Sequence, residues 1–213
     1  MKLYLASNNP HKAAELSALA RRDRLEVEII SARAAGGMPP VAEDTGTFDG
    51  NARKKAQALQ AVLAGAGTPP VEATKGGWWV LADDSGLCVD ALDGAPGVES
   101  ANYAGPGAAD GENLARLVAA MRNVPEGKRG AQFVCVLLLL GADGGERRFE
   151  GRCAGQLLTE PDGAAGFGYD PLFVPEGETR SMAAMSAAEK NLVSHRARAW
   201  AKLSAWLKAQ AAG

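Results

Sequence analysis

Phe133-Val134-Cys135-Val136-Leu137-Leu138-Leu139-Leu140 is an unbroken apolar run of eight residues. A run of that length with no polar interruption is the pattern of a central strand covered on both faces. Working outward, Gly144-Gly145 is turn chemistry, and Arg147–Gly155 reads as the hairpin partner of the run. Upstream, Trp78–Ala82 is a second strand of buried type and Leu87–Leu92 a third, with Asp83-Asp84-Ser85-Gly86 between them. Lys2–Ala6 and Leu25–Ile30 supply two more.

Helical spacing fills the gaps between these strands. Ala13, Leu16, Leu19 and Ala20 recur at helical intervals within Lys12–Ala20, and Asn8 or Asn9 is a natural cap before an early Pro10. Phe48–Ala64 is an Ala-rich helix closed by Gly65 and Gly67, and Asp110 caps a helix running to Met121. Ser186-x-x-Glu189 is a capping box that opens a last helix reaching Gln210. Thr68–Gly77 reads as a Pro/Gly surface loop. Strands and helices mix without strict alternation, which predicts an α/β fold built on a mixed sheet.

Composition narrows the function. With 46% hydrophobic and 23% charged residues over 213 positions, the chain is expected to be globular. Its net charge of −2 offers no broad basic field for nucleic acid, so a phosphate partner must be held by a few placed cations. The opening MKLYLASNN is too short in apolar residues for a signal-peptide core, and no run approaches membrane-spanning length. Cys88, Cys135 and Cys153 lack metal-ligand spacing and are odd in number, so reduced cysteines and a cytoplasmic location are expected.

Four clusters carry chemistry. Ser7-Asn8-Asn9-Pro10-His11-Lys12 is a strand-to-helix turn, where free backbone N–H groups and the helix dipole suit a phosphate and Lys12 adds charge. Glu43-Asp44 and Asp83-Asp84 are acidic pairs without clustered histidines or cysteines, which favours Mg²⁺ or Mn²⁺ over zinc. Asp83-Asp84-Ser85-Gly86 is equally good turn chemistry, and the residues alone leave both readings open. Gly166-Phe167-Gly168-Tyr169-Asp170 pairs close-approach glycines with two aromatic faces and an acceptor carboxylate, and the same residues equally suit an aromatic-anchored core loop. In the last helix, Arg196 falls on the apolar stripe of Val193, Trp200, Leu203 and Leu207, where it needs an anionic partner, either a ligand or an internal acid. At about 100° per residue, Lys190 and His195 flank that stripe rather than join it, unless the helix kinks.

Taken together, LASNNPHKAAEL, EDTGTFDGNARKKA, LADDSGLCVDALDGAPGVESANYAG, GFGYDPLFVPEG and SAAEKNLVSHRARAWAKL resemble the inosine triphosphate pyrophosphatase family, in order and almost end to end. The resemblance implies one domain over residues 1–213, a long mixed sheet with flanking helices forming two lobes around a central cleft, and assembly as a homodimer. It implies hydrolysis of ITP, dITP and XTP to the monophosphate and pyrophosphate with Mg²⁺, Mn²⁺ being a substitute. Carried over by residue, Ser7, Asn8, Asn9, Pro10, His11 and Lys12 resemble the triphosphate cradle, with Lys55 a further phosphate cation. Glu43, Asp83 and Asp84 match the metal site, and Asp84 also matches the proton acceptor; Asp44 is the alternative to Glu43. Ser85 takes a substrate-contact position, Phe167, Gly168, Tyr169 and Asp170 the base pocket, and Lys190, His195 and Arg196 the C-terminal contacts. Family members often carry Thr-Gly-Asn where this chain has Ser7-Asn8-Asn9. A nucleotide sensor without turnover, and a pyrophosphatase for modified pyrimidines, are the competing readings.

Overall fold

The structure is a computed structural model and describes residues 1–65 and 78–211, so the expected loop at Thr68–Gly77 lies outside the described residues. Six strands, β1 (Lys2–Ala6), β2 (Glu28–Ser31), β3 (Trp78–Val89), β4 (Gly130–Gly141), β5 (Glu146–Leu157) and β6 (Phe173–Pro175), form one sheet in the order β2-β1-β3-β4-β5-β6. β1 is parallel to both β2 and β3, while β6 is antiparallel to β5. The expected mixed sheet is present. Helices α1 (Pro10–Arg22), α2 (Phe48–Gly65), α3 (Asp110–Ala120), α4 (Ala187–Val193) and α5 (His195–Ala211) complete the α/β fold.

β4 contains the apolar run and lies inside the sheet, buried at nearly every position, as a strand covered on both faces must be. Its link to β5 closes through Gly141 N–H to the Gly145 carbonyl at 2.8 Å.

Four local readings need correction. The stretch read as strand, turn and strand across Asp83-Asp84-Ser85-Gly86 is a single twelve-residue strand, β3. β1 pairs with Trp78–Ala82 only, and β4 is the neighbouring strand on the other side; pairing within the sheet overrides the turn preference of Asp, Ser and Gly. Leu25–Ile30 shifts to Glu28–Ser31, set by the register that aligns Lys2 with Glu28. Asp110 is the first residue of α3 and not its cap; the Ala109 N–H is taken by the Glu112 carboxylate at 2.7 Å. The last helix is two helices, broken at Ser194, whose ψ of 154° is extended. Ser194 Oγ accepts from the Ala197 N–H at 3.2 Å, so this serine caps a new helix. The capping box at Ser186 and Glu189 stands as read, with both reciprocal bonds formed.

The chain divides into two compact units. Met1–Asp84, Val136–Glu150 and Ala199–Gly213 make the first, and Ser85–Cys135 with Gly151–Arg198 make the second. In the first, the buried face of α2 (Ala52, Ala56, Leu59, Leu63) packs with Val80, Ala82, Val136 and Leu138. Each such fully buried leucine contributes about 1.5–3 kcal/mol relative to exposure. The Ala-rich face keeps the helix close to the sheet, and the polar residues beside it, Asn51 and Lys55, are drawn inward with it. In the second unit, Leu87, Leu117, Phe133, Leu172 and Phe173 form the core, and the Phe133 and Phe173 rings meet edge to face at 4.8 Å. None of the three cysteines forms a disulfide; Cys135 and Cys153 are buried and Cys88 is half-buried. No helix among the described residues is long and apolar enough to cross a membrane.

Candidate active site

In the first unit, β3 delivers Asp83 and Asp84, both almost fully buried, to the ends of two different lysines. Successive strand residues point to opposite faces. Asp83 Oδ1 lies 2.6 Å from Lys12 Nζ, which also donates to the Asp83 carbonyl at 3.2 Å. Lys12 sits in the first turn of α1, where Asn9 is the cap: its Oδ1 accepts from the His11 and Lys12 N–H groups at 2.9 and 3.3 Å. Ser7 Oγ accepts in turn from the Asn9 N–H at 3.1 Å, while Asn8, Pro10 and His11 are exposed. The Ser7–Lys12 segment thus forms a capped helix start whose lysine reaches an acid on the strand.

Asp84 belongs to the other lysine. Lys55 Nζ stands 2.6 Å from Asp84 Oδ1 and 2.6 Å from Glu43 Oε2, so one ammonium is gripped by two carboxylates. Burial pulls the Lys55 pKa down, but the charges of Asp84 and Glu43 outweigh it and hold the group above its ordinary value. Burial pushes the Asp84 carboxyl up to about 6, against the downward pull of Lys55 and Lys12. Asp44 turns outward to Lys54, an exposed pair.

Among the described residues no group of three or more His, Cys, Asp or Glu side chains is gathered where it could hold a metal ion. As the structure stands, Asp83 is paired with Lys12, while Glu43 and Asp84 share Lys55. That remaining pair does fit a hard cation. It already brackets one positive charge, it is all oxygen, and Asp84 Oδ2 is buried with no hydrogen-bond partner among the described residues. Mg²⁺ is commonly held by one or two carboxylates, with water and substrate phosphate completing its shell.

In the second unit, a tight turn presents Phe167. Asp170 Oδ2 accepts from the Phe167 N–H at 2.9 Å and from Lys190 Nζ at 2.7 Å. Gly166 has φ +75°, and a Cβ there would come within 2.9 Å of Asp170 Cγ, so only glycine lets the turn close on its own carboxylate. Lys190 Nζ lies 4.7 Å from the centre of the half-buried Phe167 ring, and Arg196 Cζ lies 5.7 Å from it. The break at Ser194 makes this possible, because a continuous helix would place Lys190 and Arg196 on different faces. Arg196 also donates to Ser85 Oγ at 3.2 Å. The His195 ring stacks on Phe133 at 4.6 Å and 11°.

Tyr169 is an anchor rather than a stacking face: the side chain is buried, and its hydroxyl donates to the Ser100 carbonyl at 2.8 Å. The Gly168 N–H donates to Asp110 Oδ2 at 2.9 Å. Sequence reasoning did not find Asp110, Ser100 or Phe133 as supports of this site. Of these, Asp110 alone left a signal, as an acid in the first turn of a helix, and that signal reads as a cap.

The chain matches the Ham1 family over residues 3–206 and belongs to it. A dITP/XTP pyrophosphatase of Opitutus terrae is 57% identical over 210 residues, spanning 97% of this chain and 98% of that protein. Among solved structures, a HAM1 protein from Coxiella burnetii superposes with a TM-score of 0.81 at 34% identity, covering 98% of each chain. A nucleoside-triphosphatase / dITP/XTP pyrophosphatase from Mycobacterium abscessus does so at 0.70 and 38% identity, over 95% of this chain and 98% of that one.

Proposed function

We propose that this chain is a hydrolase that cleaves the non-standard purine nucleotides ITP, dITP and XTP between the α- and β-phosphates, releasing the monophosphate and pyrophosphate. The carrying observation is the Lys55 ammonium held between Asp84 and Glu43, with Asp84 Oδ2 buried and unspent. Family membership and the activity named for the relatives support the same reading.

The two units divide the work. In the first, Lys12 and Lys55 supply fixed positive charge for the polyphosphate, each already beside an acid that would hand it over as anionic oxygens arrive. A carboxyl with pKa about 6 is matched to general-base work near neutral pH, and Asp84 Oδ2 is the atom that takes the proton from water. Glu43 and Asp84 would hold Mg²⁺, which supplies Lewis-acid polarisation of phosphoryl oxygen when bound. In the second, Phe167 offers its ring to the purine, Lys190 and Arg196 fix that ring from the cationic side, and Ser85 is oriented by Arg196. Residues 1–213 would act as one two-lobed domain in a homodimer, and reduced cysteines would suit a cytoplasmic location.

Product analysis tests the reaction. Incubation with ITP and Mg²⁺ is expected to give one pyrophosphate per IMP and no orthophosphate, with release abolished by EDTA and restored by Mg²⁺ or Mn²⁺. Orthophosphate as the first product would move the cleavage to the terminal phosphate. Nucleotide binding without any product would make the chain a sensor.

A further inference from the structure

Four successive loop residues are fastened to α2 side by side. Lys54 Nζ donates to the Ala42 carbonyl at 3.3 Å and pairs with Asp44, Lys55 pairs with Glu43 at 2.6 Å, and Asn51 takes Thr45. The last of these differs in kind. Lys54–Asp44 is exposed and weak, and the proposed reaction draws Lys55 toward phosphate, so neither holds Glu43 when it is needed. Asn51 is fully buried, and its Oδ1 accepts from both the Thr45 N–H at 3.3 Å and the Thr45 hydroxyl at 2.8 Å. A backbone N–H only donates, so it must face the amide oxygen; this orients Asn51 and leaves Nδ2 buried without a partner among the described residues. An unsatisfied buried donor is a cost, tolerated here by the side that works.

Gly50 gives the same answer independently. It lies within the first turn of α2, where glycine costs roughly 1 kcal/mol against alanine. A Cβ at Gly50 would sit 2.7 Å from Thr45 Cβ and 2.9 Å from Thr47 Oγ1, inside contact distance. The missing side chain is the space Thr45 occupies. The geometry assigns Gly50 and Asn51 the role of a socket for Thr45 that positions Glu43, two residues away, beside Asp84 when Lys55 turns to the substrate. These are positioning residues, and the role rests on the proposed reaction and its metal.

The test uses Asn51→Ala, Gly50→Ala and the milder Thr45→Val at the exposed end of the socket, with Asn51→Asp as the variant that keeps the acceptor oxygen. Two readouts are taken: the Mg²⁺ concentration for half-maximal pyrophosphate release at saturating ITP, and Mn²⁺ binding to the nucleotide-free protein by calorimetry. Both are expected to weaken about 10-fold or more in Asn51→Ala and Gly50→Ala, less in Thr45→Val, with KM for ITP nearly unchanged and both recovered in Asn51→Asp. Amide exchange at Thr45 should quicken in the same order. Wild-type metal dependence in Thr45→Val together with Asn51→Ala or Gly50→Ala overturns the assignment. If the wild type binds Mn²⁺ and the variants bind it less well, yet no protein hydrolyses ITP, the socket stands and the proposed activity falls.

Discussion

Asp84→Asn is expected to abolish pyrophosphate release while making the ligand-free protein more stable at pH 8. Loss of a general base alone lowers turnover by roughly 10²–10⁴-fold, and this change also removes a proposed metal ligand. The gain in stability follows from burial. Burial raises the carboxyl from 3.8 to about 6 in the fold, so between those values the folded protein binds more protons than the unfolded chain. Stability therefore falls as pH rises through that window and stays lower above it. The gain is reduced in the variant because Lys55 loses one of its two carboxylates and keeps only Glu43. Melting curves of both proteins should converge below about pH 4, where the wild-type group is protonated in either state. A variant with near-normal turnover would remove Asp84 from the mechanism. A variant less stable than wild type at pH 8 would show that its charge is fully compensated.

Asp170→Ala is expected to cost about 3–5 kcal/mol, the range for removing one partner of a buried ion pair. The Asp170 and Lys190 side chains are 3% and 6% exposed, and one oxygen, Oδ2, accepts from both Lys190 and the Phe167 N–H. Without it, the Lys190 ammonium stays buried beside Phe167 with this carboxylate gone, and the turn at Gly166 loses the group that closes it. Asp170→Asn should cost less, because an amide oxygen still accepts from Phe167. Urea denaturation of the three proteins measures this, and KM for ITP should rise in step as the Phe167 ring loosens. A loss below 1 kcal/mol would show that the pair does not anchor the loop.

The sheet was legible where hydrophobic pattern dominates. Phe133–Leu140 announces a strand covered on both sides, and Gly144-Gly145 its turn. Asp83-Asp84-Ser85-Gly86 misleads because its residues favour turns locally, whereas β4, the strand beside β3 in the sheet, lies far away in sequence. The break at Ser194 was legible in principle: a serine three residues before Ala197 is ordinary capping chemistry, masked by apolar spacing that continues across it. The residues read from sequence as candidate contacts gave no sign of their present partners. Strand alternation separates Asp83 from Asp84, and helix geometry alone gives no hint that Lys190 and Arg196 meet at one ring. Asn51 was missed because one asparagine beside an Ala-rich stripe looks like a surface residue until its burial is known.

The most direct test of the central claim is kcat/KM for pyrophosphate release from ITP, dITP, XTP, ATP, GTP and dUTP at fixed Mg²⁺. The account predicts that ITP, dITP and XTP exceed ATP, GTP and dUTP by about 100-fold or more, a range that base-edge hydrogen bonding can supply. Comparable values for ATP or GTP would contradict discrimination at the purine, and a preference for dUTP would place the chain among pyrimidine pyrophosphatases.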